Sequence, residues 1–270
     1  MEEVMPRTKE KSPMNIKMIL LDLDGTLLRS DGSISDRTKQ VLKSCQNRGI
    51  NVVFATARKW IGAERYIEEI QPDYEITTGG TLIHRHGEQI YSCNLEIKDT
   101  NQIVQDLLAY DSNTEITVAA GRLVFWNSLH ISESEKLHKA VYNDYREPLS
   151  CRANKILAEL PNYEIAEQIA NRNHCRLQSF RGENWYAFMP MGAGKVQAIK
   201  ELAKILDISL DDIAAFGDDI NDIEMLKMCG TGVAVANAVP DVLAIADSVT
   251  RSNDEDGVAE WIVKNVLTES

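Results

Sequence analysis

The chain has 270 residues, 44% of them hydrophobic and 26% charged. At roughly 150 residues per domain, this length predicts two domains, or one domain with a large insertion, and it excludes a peptide or a large multidomain machine. The formal net charge of −12 disfavours nucleic acid as a partner, because an acidic protein gains nothing from counterion release at phosphates. A small-molecule partner is expected.

Five cysteines are scattered along the chain without a CxxC pair. They predict neither a disulfide framework nor a zinc finger, and they favour a reducing cytoplasm. Residues 1–14 lack the apolar stretch of a signal peptide and are expected to be a flexible leader. No run approaches the ~18 apolar residues of a membrane span, so no membrane partner is expected. The sequence leaves both a monomer and a homodimer open.

The first part of the chain alternates apolar strands and helices. Residues 16–21 form a continuous apolar run with one lysine, which is typical of a strand buried on both faces of a parallel sheet. A helix capped by Ser35 follows, then a second apolar strand at 50–55 and a helix at 59–70 that stops before Pro72. This order predicts an α/β fold with a doubly wound, Rossmann-like parallel sheet.

The middle of the chain has a different pattern. Short strand pairs are predicted at 81–91, 115–126 and 174–189, with helices near 100–110 and after Pro161, and this mixture predicts an α+β unit. The first pattern resumes at Gly194 and continues to about Leu267. We therefore predict three parts of the chain, namely the leader at 1–14, a core domain of residues 15–81 and 190–270, and an inserted cap domain of residues 82–189.

Two acidic clusters follow apolar strands. Asp22 and Asp24 stand two residues apart at a strand end, so both carboxylates can point the same way. Asp218 and Asp222 follow the apolar run 213–216. At one edge of a sheet these groups would meet, and like charges 4 Å apart repel by ~1 kcal/mol in water and ~4 at a dielectric constant of 20. A cation is then needed, and oxygen ligands alone favour Mg²⁺. The alternative is two unrelated solvated loops.

Two further residues stand where an anion could bind. Thr56 follows the second strand. Its hydroxyl, together with the backbone amides of Ala57 and Arg58 at the start of the next helix, offers hydrogen-bond donors to an anion. Lys195 begins another helix, an unfavourable place for a cation because the helix dipole is positive there, so an anionic neighbour is expected. Alone, the threonine would be an ordinary helix cap and the lysine a solvated side chain.

Two nucleotide-binding motifs are absent. A P-loop around Lys195 would need glycine in place of Met189 and serine or threonine in place of Val196. A dinucleotide fingerprint that begins at Gly230 would need a third glycine in place of Val235. The glycines in these segments therefore do not indicate either type of nucleotide site.

The four motifs of the haloacid dehalogenase superfamily, in its phosphatase form, resemble segments of this chain in the same order: Asp22-Leu23-Asp24-Gly25-Thr26, then Thr56, then Lys195, then Gly217-Asp218-Asp219-Ile220-Asn221-Asp222. The segment 232–259 is similar to the Cof-type branch of the superfamily. That branch inserts an α+β cap between the second and third motifs, which matches the middle segment here. The resemblance covers nearly all of residues 16–267.

The resemblance implies a phosphatase that works through a phospho-aspartate, with Asp22 as nucleophile and Asp24 as general acid and base. The residues expected to hold Mg²⁺ are Asp22, Asp24 through its backbone carbonyl, Asp218 and Asp222. The residues expected to bind the phosphoryl group are Thr56, Ala57, Lys195 and Asn221. The expected substrates are phosphate monoesters of small metabolites, such as sugar phosphates.

This sequence departs from the family pattern at Ala57, Thr78 and Val196, where glycine, asparagine and glycine are usual, and in its leader. None of these changes removes a catalytic group. An aspartate at position 24 favours hydrolysis, because the ion-transporting and halide-removing members lack a carboxylate there. Two other functions stay open, a sugar phosphomutase on the same core and a non-catalytic phosphate-sensing protein.

Overall fold

The computed structural model describes residues 15–128, 140–180 and 182–268. Within these ranges the strands form one sheet of eight strands and one of six. The expected leader, residues 1–14, lies outside them. No helix in the described ranges combines the length and the apolar character that crossing a bilayer requires.

The large sheet combines strands from both ends of the chain. Its strands are β1 (Met18–Leu21), β2 (Asn51–Ala55), β3 (Tyr74–Thr77), β4 (Leu82–Arg85), β5 (Glu88–Ser92), β12 (Ile213–Gly217), β13 (Thr231–Ala234) and β14 (Ser248–Val249). Their order across the sheet is β14-β13-β12-β1-β2-β3-β4-β5. The pairings from β14 to β3 are parallel, whereas β4 pairs antiparallel with both β3 and β5. The predicted doubly wound sheet is confirmed.

Helices cover the large sheet, so that β1 is buried along its whole length. They are α1 (Asp36–Asn47), α2 (Trp60–Ile70), α5 (Lys195–Leu206), α6 (Ile223–Met228), α7 (Pro240–Leu243) and α8 (Gly257–Ile262). The hydroxyl of Ser35 accepts a hydrogen bond from the Thr38 amide at 3.0 Å, as expected for the cap of α1. Burial of the apolar strand residues between these helices supplies the main driving force for this part of the fold.

The register of the central strands sets the position of the functional residues. Leu21 at the end of β1 lies level with Phe54 of β2 and Phe216 of β12. Because parallel strands that are level end at the same edge of a sheet, the residues that follow each strand meet there. We call this edge, with Asp22, Asp218 and Asp222, the acidic edge.

The small sheet belongs to the cap. Its strands are β6 (Ile116–Ala120), β7 (Leu123–Trp126), β8 (Ala140–Tyr142), β9 (Lys155–Glu159), β10 (Arg176–Ser179) and β11 (Trp185–Met189), in the order β10-β11-β9-β6-β7-β8. Its helices are α3 (Ile97–Tyr110) and α4 (Tyr163–Arg172). Both helices share a buried apolar cluster with Ile156 and Ala158 of β9. They therefore pack on the same face of the small sheet.

The other face of the small sheet looks toward the large sheet, and we call it the inner face. Strand residues alternate between faces, so Lys155 and Leu157 point away from the cluster under α3 and α4. Leu157 packs with Ala187 and Met189 instead. A direct contact to the core confirms the direction, since the Lys59 ammonium donates a hydrogen bond to the hydroxyl of Thr117 in β6 at 3.2 Å.

Three details of the sequence prediction change. The hairpin at 81–91 was assigned to the cap, but β4 pairs with β3 and extends the large sheet, because the buried side chains of Leu82 and Ile83 join the core. The boundary expected at residue 82 is accordingly moved to the segment after Ser92. Strands β3, β8, β9 and β14 were not predicted.

Candidate active site

Three carboxylates converge at the acidic edge. Asp22, Asp218 and Asp222 offer oxygens that all lie within 4.8 Å of one another. Burial raises the pKa of Asp22, against the opposing charge of Lys195, and it raises the pKa of Asp218 to about 6. Both carboxyl groups resist ionisation because the site collects negative charge away from water. A bound cation would relieve this, so the donor set fits a hard divalent metal such as Mg²⁺.

A buried lysine lies among the carboxylates. The Lys195 ammonium is 2.5 Å from Oδ1 of Asp22 and 2.6 Å from Oδ1 of Asp222, and it donates a hydrogen bond to each. The anionic neighbour that its position at the start of α5 predicted is therefore present. Burial lowers the pKa of Lys195, but the two carboxylates raise it by more, so the net shift is upward. The lysine is a fixed positive charge inside the cluster.

A close approach of two glycines fixes the start of α5. A Cβ atom on Gly80 would lie 2.2 Å from the carbonyl carbon of Gly194, and Gly80 has a φ of +89°. Any side chain there would push α5 away from the loop that follows β3. The contact therefore holds Lys195 at the depth from which it reaches Asp22.

The turn after β1 holds the carboxylate that comes from β12. Gly25 has a φ of +74°, and a Cβ atom on it would lie 2.3 Å from Oδ2 of Asp218. The hydroxyl of Thr26 donates a hydrogen bond to Oδ1 of the same carboxylate at 2.7 Å. The segment Asp22–Thr26 was singled out from the sequence, but the role of the Thr26 hydroxyl was missed.

Asp222 is held by the backbone as well as by Lys195. Its Oδ2 atom accepts hydrogen bonds from the amides of Asp218 and Asp219, each at 3.2 Å. Both of its oxygens are therefore occupied by groups of the chain. These contacts favour a positioning role for Asp222, in which it orients Lys195 and the turn that carries Asp218.

The side chain of Asp24 does not join the three carboxylates. It forms a two-pronged ion pair with Arg58, in which Nε and Oδ2 are 2.8 Å apart and Nη2 and Oδ1 are 2.6 Å apart. The Asp24 side chain is 58% exposed. The hydrogen bond with Asp24 raises the pKa of Arg58. Sequence reasoning used only the backbone amide of Arg58, although an arginine at a strand end beside β1 was a signal for a partner of Asp24.

The predicted phosphate-binding residues are spread around the acidic edge. Thr56 is buried, and its hydroxyl accepts a hydrogen bond from the Arg58 amide at 3.1 Å. The Ala57 carbonyl accepts one from Lys155 of the cap at 3.2 Å. Asn221 is exposed, and no hydrogen bond among the described residues joins its side chain to the carboxylates. Phosphate binding by Thr56, Ala57 and Asn221 therefore stays a prediction.

Thr78, one of the departures from the family pattern, adopts an unusual backbone conformation. It has a φ of +56°, in the left-handed region, and its amide donates a hydrogen bond to the Arg58 carbonyl at 2.6 Å. Asparagine tolerates this conformation, whereas a β-branched residue is strained in it. The chain keeps the backbone shape at Thr78 without the residue type that usually adopts it.

Comparison with known proteins identifies the family of this chain. The model of the haloacid dehalogenase-like hydrolase family matches residues 19–262. The chain belongs to the haloacid dehalogenase-like hydrolases. The family resemblance noted in the sequence, and the α/β core with an inserted α+β cap, are confirmed.

Two relatives of this chain are named as phosphatases of Bacillus subtilis. Phosphatase YwpJ is 28% identical over 301 residues, which cover 93% of this chain and 100% of that protein. The 5-amino-6-(5-phospho-D-ribitylamino)uracil phosphatase YcsE is 28% identical over 262 residues, which cover 96% of this chain and 99% of that protein. The structure of a haloacid dehalogenase-like hydrolase from B. subtilis aligns with a TM-score of 0.78 and 27% identity, covering 93% of this chain and all of that one. The prediction that this chain is a phosphatase is confirmed.

Proposed function

We propose that this haloacid dehalogenase-like phosphatase is a Mg²⁺-dependent hydrolase of the phosphate monoesters of small metabolites, and that it works through a phosphorylated Asp22. The observation that carries the proposal is the meeting of Asp22, Asp218 and Asp222 within 4.8 Å around a buried lysine. The sugar phosphates expected from the sequence and the ribitylamino-uracil phosphate in the name of the relative YcsE are examples of this substrate class.

The first half of the reaction uses two carboxyl groups. A carboxylate oxygen of Asp22 attacks phosphorus, the bond between phosphorus and the ester oxygen breaks, and an acyl phosphate forms on Asp22. Asp24 gives its proton to the departing alkoxide. Because Asp24 pairs with Arg58 here, its carboxyl group must exchange this partner for the substrate. The Asp24 side chain is exposed, and an exposed ion pair is worth little free energy, so the carboxyl group can leave Arg58 by rotating.

The second half returns the enzyme to its starting state. Asp24, now a carboxylate, takes a proton from a water molecule, whose oxygen attacks phosphorus and breaks the bond to Asp22. Lys195 holds a phosphoryl oxygen through the positive charge that its carboxylate neighbours maintain.

Asp22, Asp218 and the backbone carbonyl of Asp24 are the groups that would hold the metal, with Asp222 behind them. The chemistry that Mg²⁺ supplies when bound is neutralisation of the charge on the transferring phosphoryl group.

The test is release of inorganic phosphate from a panel of sugar phosphates, nucleotides, pyridoxal phosphate and flavin precursors, with Mg²⁺ and with EDTA. We expect turnover that EDTA abolishes and that falls at least about 10³-fold in Asp22→Asn, because the amide is no nucleophile. The matched control is Asp212→Asn at the opposite end of β12, where the aspartate pairs with Lys17 at 2.7 Å. Loss of activity in both variants, or retained activity in Asp22→Asn, would contradict the proposal.

A further inference from the structure

The inner face of the cap carries a buried lysine that the proposed mechanism does not use. Lys155 lies on β9, which is an internal strand of the small sheet, and only 2% of the residue is exposed. Its ammonium donates a hydrogen bond to the carbonyl of Ala57 at 3.2 Å, so it crosses from the cap to the core. Ala57 directly follows Thr56 at the acidic edge. Lys155 is therefore buried where the cap meets the proposed phosphate site.

The two buried lysines of the protein's active-site region differ in their partners. Lys195 has two carboxylates within 2.6 Å. Lys155 has one carbonyl oxygen and the ring of Phe180, whose centroid is 5.0 Å from its nitrogen, and no ion pair with a carboxylate exists among the described residues. A neutral carbonyl and an aromatic face stabilise a cation much less than a carboxylate does. Lys155 thus lacks the counterion that Lys195 has.

A second lysine near Lys155 adds positive charge to a region where the described residues offer Lys155 no carboxylate partner. Lys59 lies on the same side of the cap interface, where it donates a hydrogen bond to Thr117 of β6. Burial, and then the charge of Lys59, lower the pKa of Lys155 to about 7. A buried lysine without a carboxylate costs free energy of folding unless a ligand supplies the missing charge. The ammonium has three N–H donors, of which the Ala57 carbonyl uses one.

We propose that Lys155 is a specificity residue that binds a second anionic group on the substrate, so that the preferred substrates are phosphate monoesters whose leaving group carries a carboxylate or another phosphate. The inference rests on the proposed function. The phosphoryl group would lie at Asp22 and Lys195, and the leaving group would extend toward the inner face of the cap. The second anion would then lie near Lys155, and its charge would be the counterion that the free protein lacks.

The experiment compares matched pairs of substrates with the wild-type protein and Lys155→Met. The carboxylate pair is 3-phosphoglycerate and glycerol 3-phosphate, and the phosphate pair is fructose 1,6-bisphosphate and fructose 6-phosphate. For wild type we expect kcat/KM to be at least tenfold higher for the member with the second anionic group in one pair, and the pair that responds identifies that group. In Lys155→Met we expect that ratio to fall at least tenfold, mainly through a higher KM for the member with the second anionic group.

Methionine keeps the length of the side chain without its charge, so Lys155→Met should fold and have a higher Tm than wild type. The charge control is Arg152→Met, since Arg152 is an exposed cap residue that pairs with Glu96. We expect Arg152→Met to keep the wild-type ratio within threefold. A ratio that is the same in wild type and Lys155→Met, or a wild type that does not prefer the member with the second anionic group in either pair, would overturn this inference and leave the proposed function standing. Failure of wild type to hydrolyse any ester with Mg²⁺ would overturn both.

Discussion

The acidic edge of the large sheet and the inner face of the cap each bury one lysine, yet they treat its charge in opposite ways. At the acidic edge, Lys195 begins α5 and contacts Asp22, which follows β1, and Asp222, which lies in the turn after β12; these residues are 173 and 27 positions away along the chain. On the inner face, Lys155 contacts the Ala57 carbonyl and the Phe180 ring. The charge of Lys195 is balanced by carboxylates of the chain itself, so this part of the site is complete without a substrate. The charge of Lys155 has no such partner among the described residues, which favours an anionic group of the substrate as its counterion.

The largest expected effect tests the machinery of the acidic edge. We expect Asp24→Asn to lower steady-state turnover by about 10²–10⁴-fold, because general acid–base catalysis typically contributes that much. With 2,4-dinitrophenyl phosphate, whose leaving group needs no proton, the variant should give a burst of one dinitrophenolate per enzyme followed by slow turnover. Stopped-flow absorbance measures both phases. Unchanged steady-state turnover would show that Asp24 is neither the acid nor the base.

A smaller effect separates the geometry of the acidic edge from that of the cap. Gly25→Ala combines an unfavourable φ with a Cβ atom 2.3 Å from Oδ2 of Asp218. Gly121→Ala, in the β6–β7 hairpin of the cap, has a φ of +60°, and no atom of the described residues lies within 4 Å of the added atom. We expect Gly121→Ala to cost about 1 kcal/mol of unfolding free energy and to retain activity. Gly25→Ala should cost more and lose at least tenfold in kcat because Asp218 is displaced.

Urea unfolding and phosphate release measure the two quantities. Equal losses of stability and activity in the two alanine variants would mean that the steric contact at Asp218 is unimportant. In that case only the backbone conformation of the turn would matter.

The smallest effect concerns a third buried ionisable group, which lies away from both regions. Glu75 in β3 is buried, its Oε2 has no hydrogen-bond partner in the part of the chain that the structure describes, and burial raises its pKa to about 7 from an ordinary value of 4.5. As pH rises through this interval, the unfolded chain ionises Glu75 before the folded protein does, so folding stability falls. Glu75→Gln removes this loss. We expect the variant to exceed wild type by up to roughly 3 kcal/mol in unfolding free energy above pH 7 and by less than about 1 near pH 5.

Chemical denaturation at pH 5 and pH 8 measures this difference, and phosphate release at the same pH values should remain at wild-type levels. A stability gap that is the same at both pH values would show that Glu75 is already ionised in the folded protein. A loss of activity would instead place this carboxyl group among the residues that support the active site.

The sequence was informative where functional residues are adjacent along the chain. Asp22 and Asp218 follow apolar runs directly, so the parallel sheet that those runs predict also predicts that the carboxylates meet. The sequence also predicted that Lys195 has an anionic neighbour, because a lysine at a helix start needs a nearby anion.

The sequence was less informative where a position depends on the packing of distant segments. The pairing of Asp24 with Arg58, and the contact of Lys155 with Ala57, join residues 34 and 98 positions apart that share no local pattern. Strand β9 was missed because it begins with a lysine and ends with a glutamate, and charged residues at both ends are not typical of a buried strand. The hairpin β4–β5 was placed in the wrong sheet because a hairpin pattern does not specify which neighbour it pairs with.

The position of β1 has a consequence for synthesis of the protein on the ribosome. Its partner β2 follows about 30 residues later, but β12, which pairs with its other side, emerges only after about 200 residues. At about 5–20 residues per second, one edge of this wholly apolar strand waits for 10–40 s or more without its neighbour. During that interval the unpaired edge of β1 can pair with a strand of another chain, which leads to aggregation. A chaperone that binds β1 until β12 has been synthesised would prevent this.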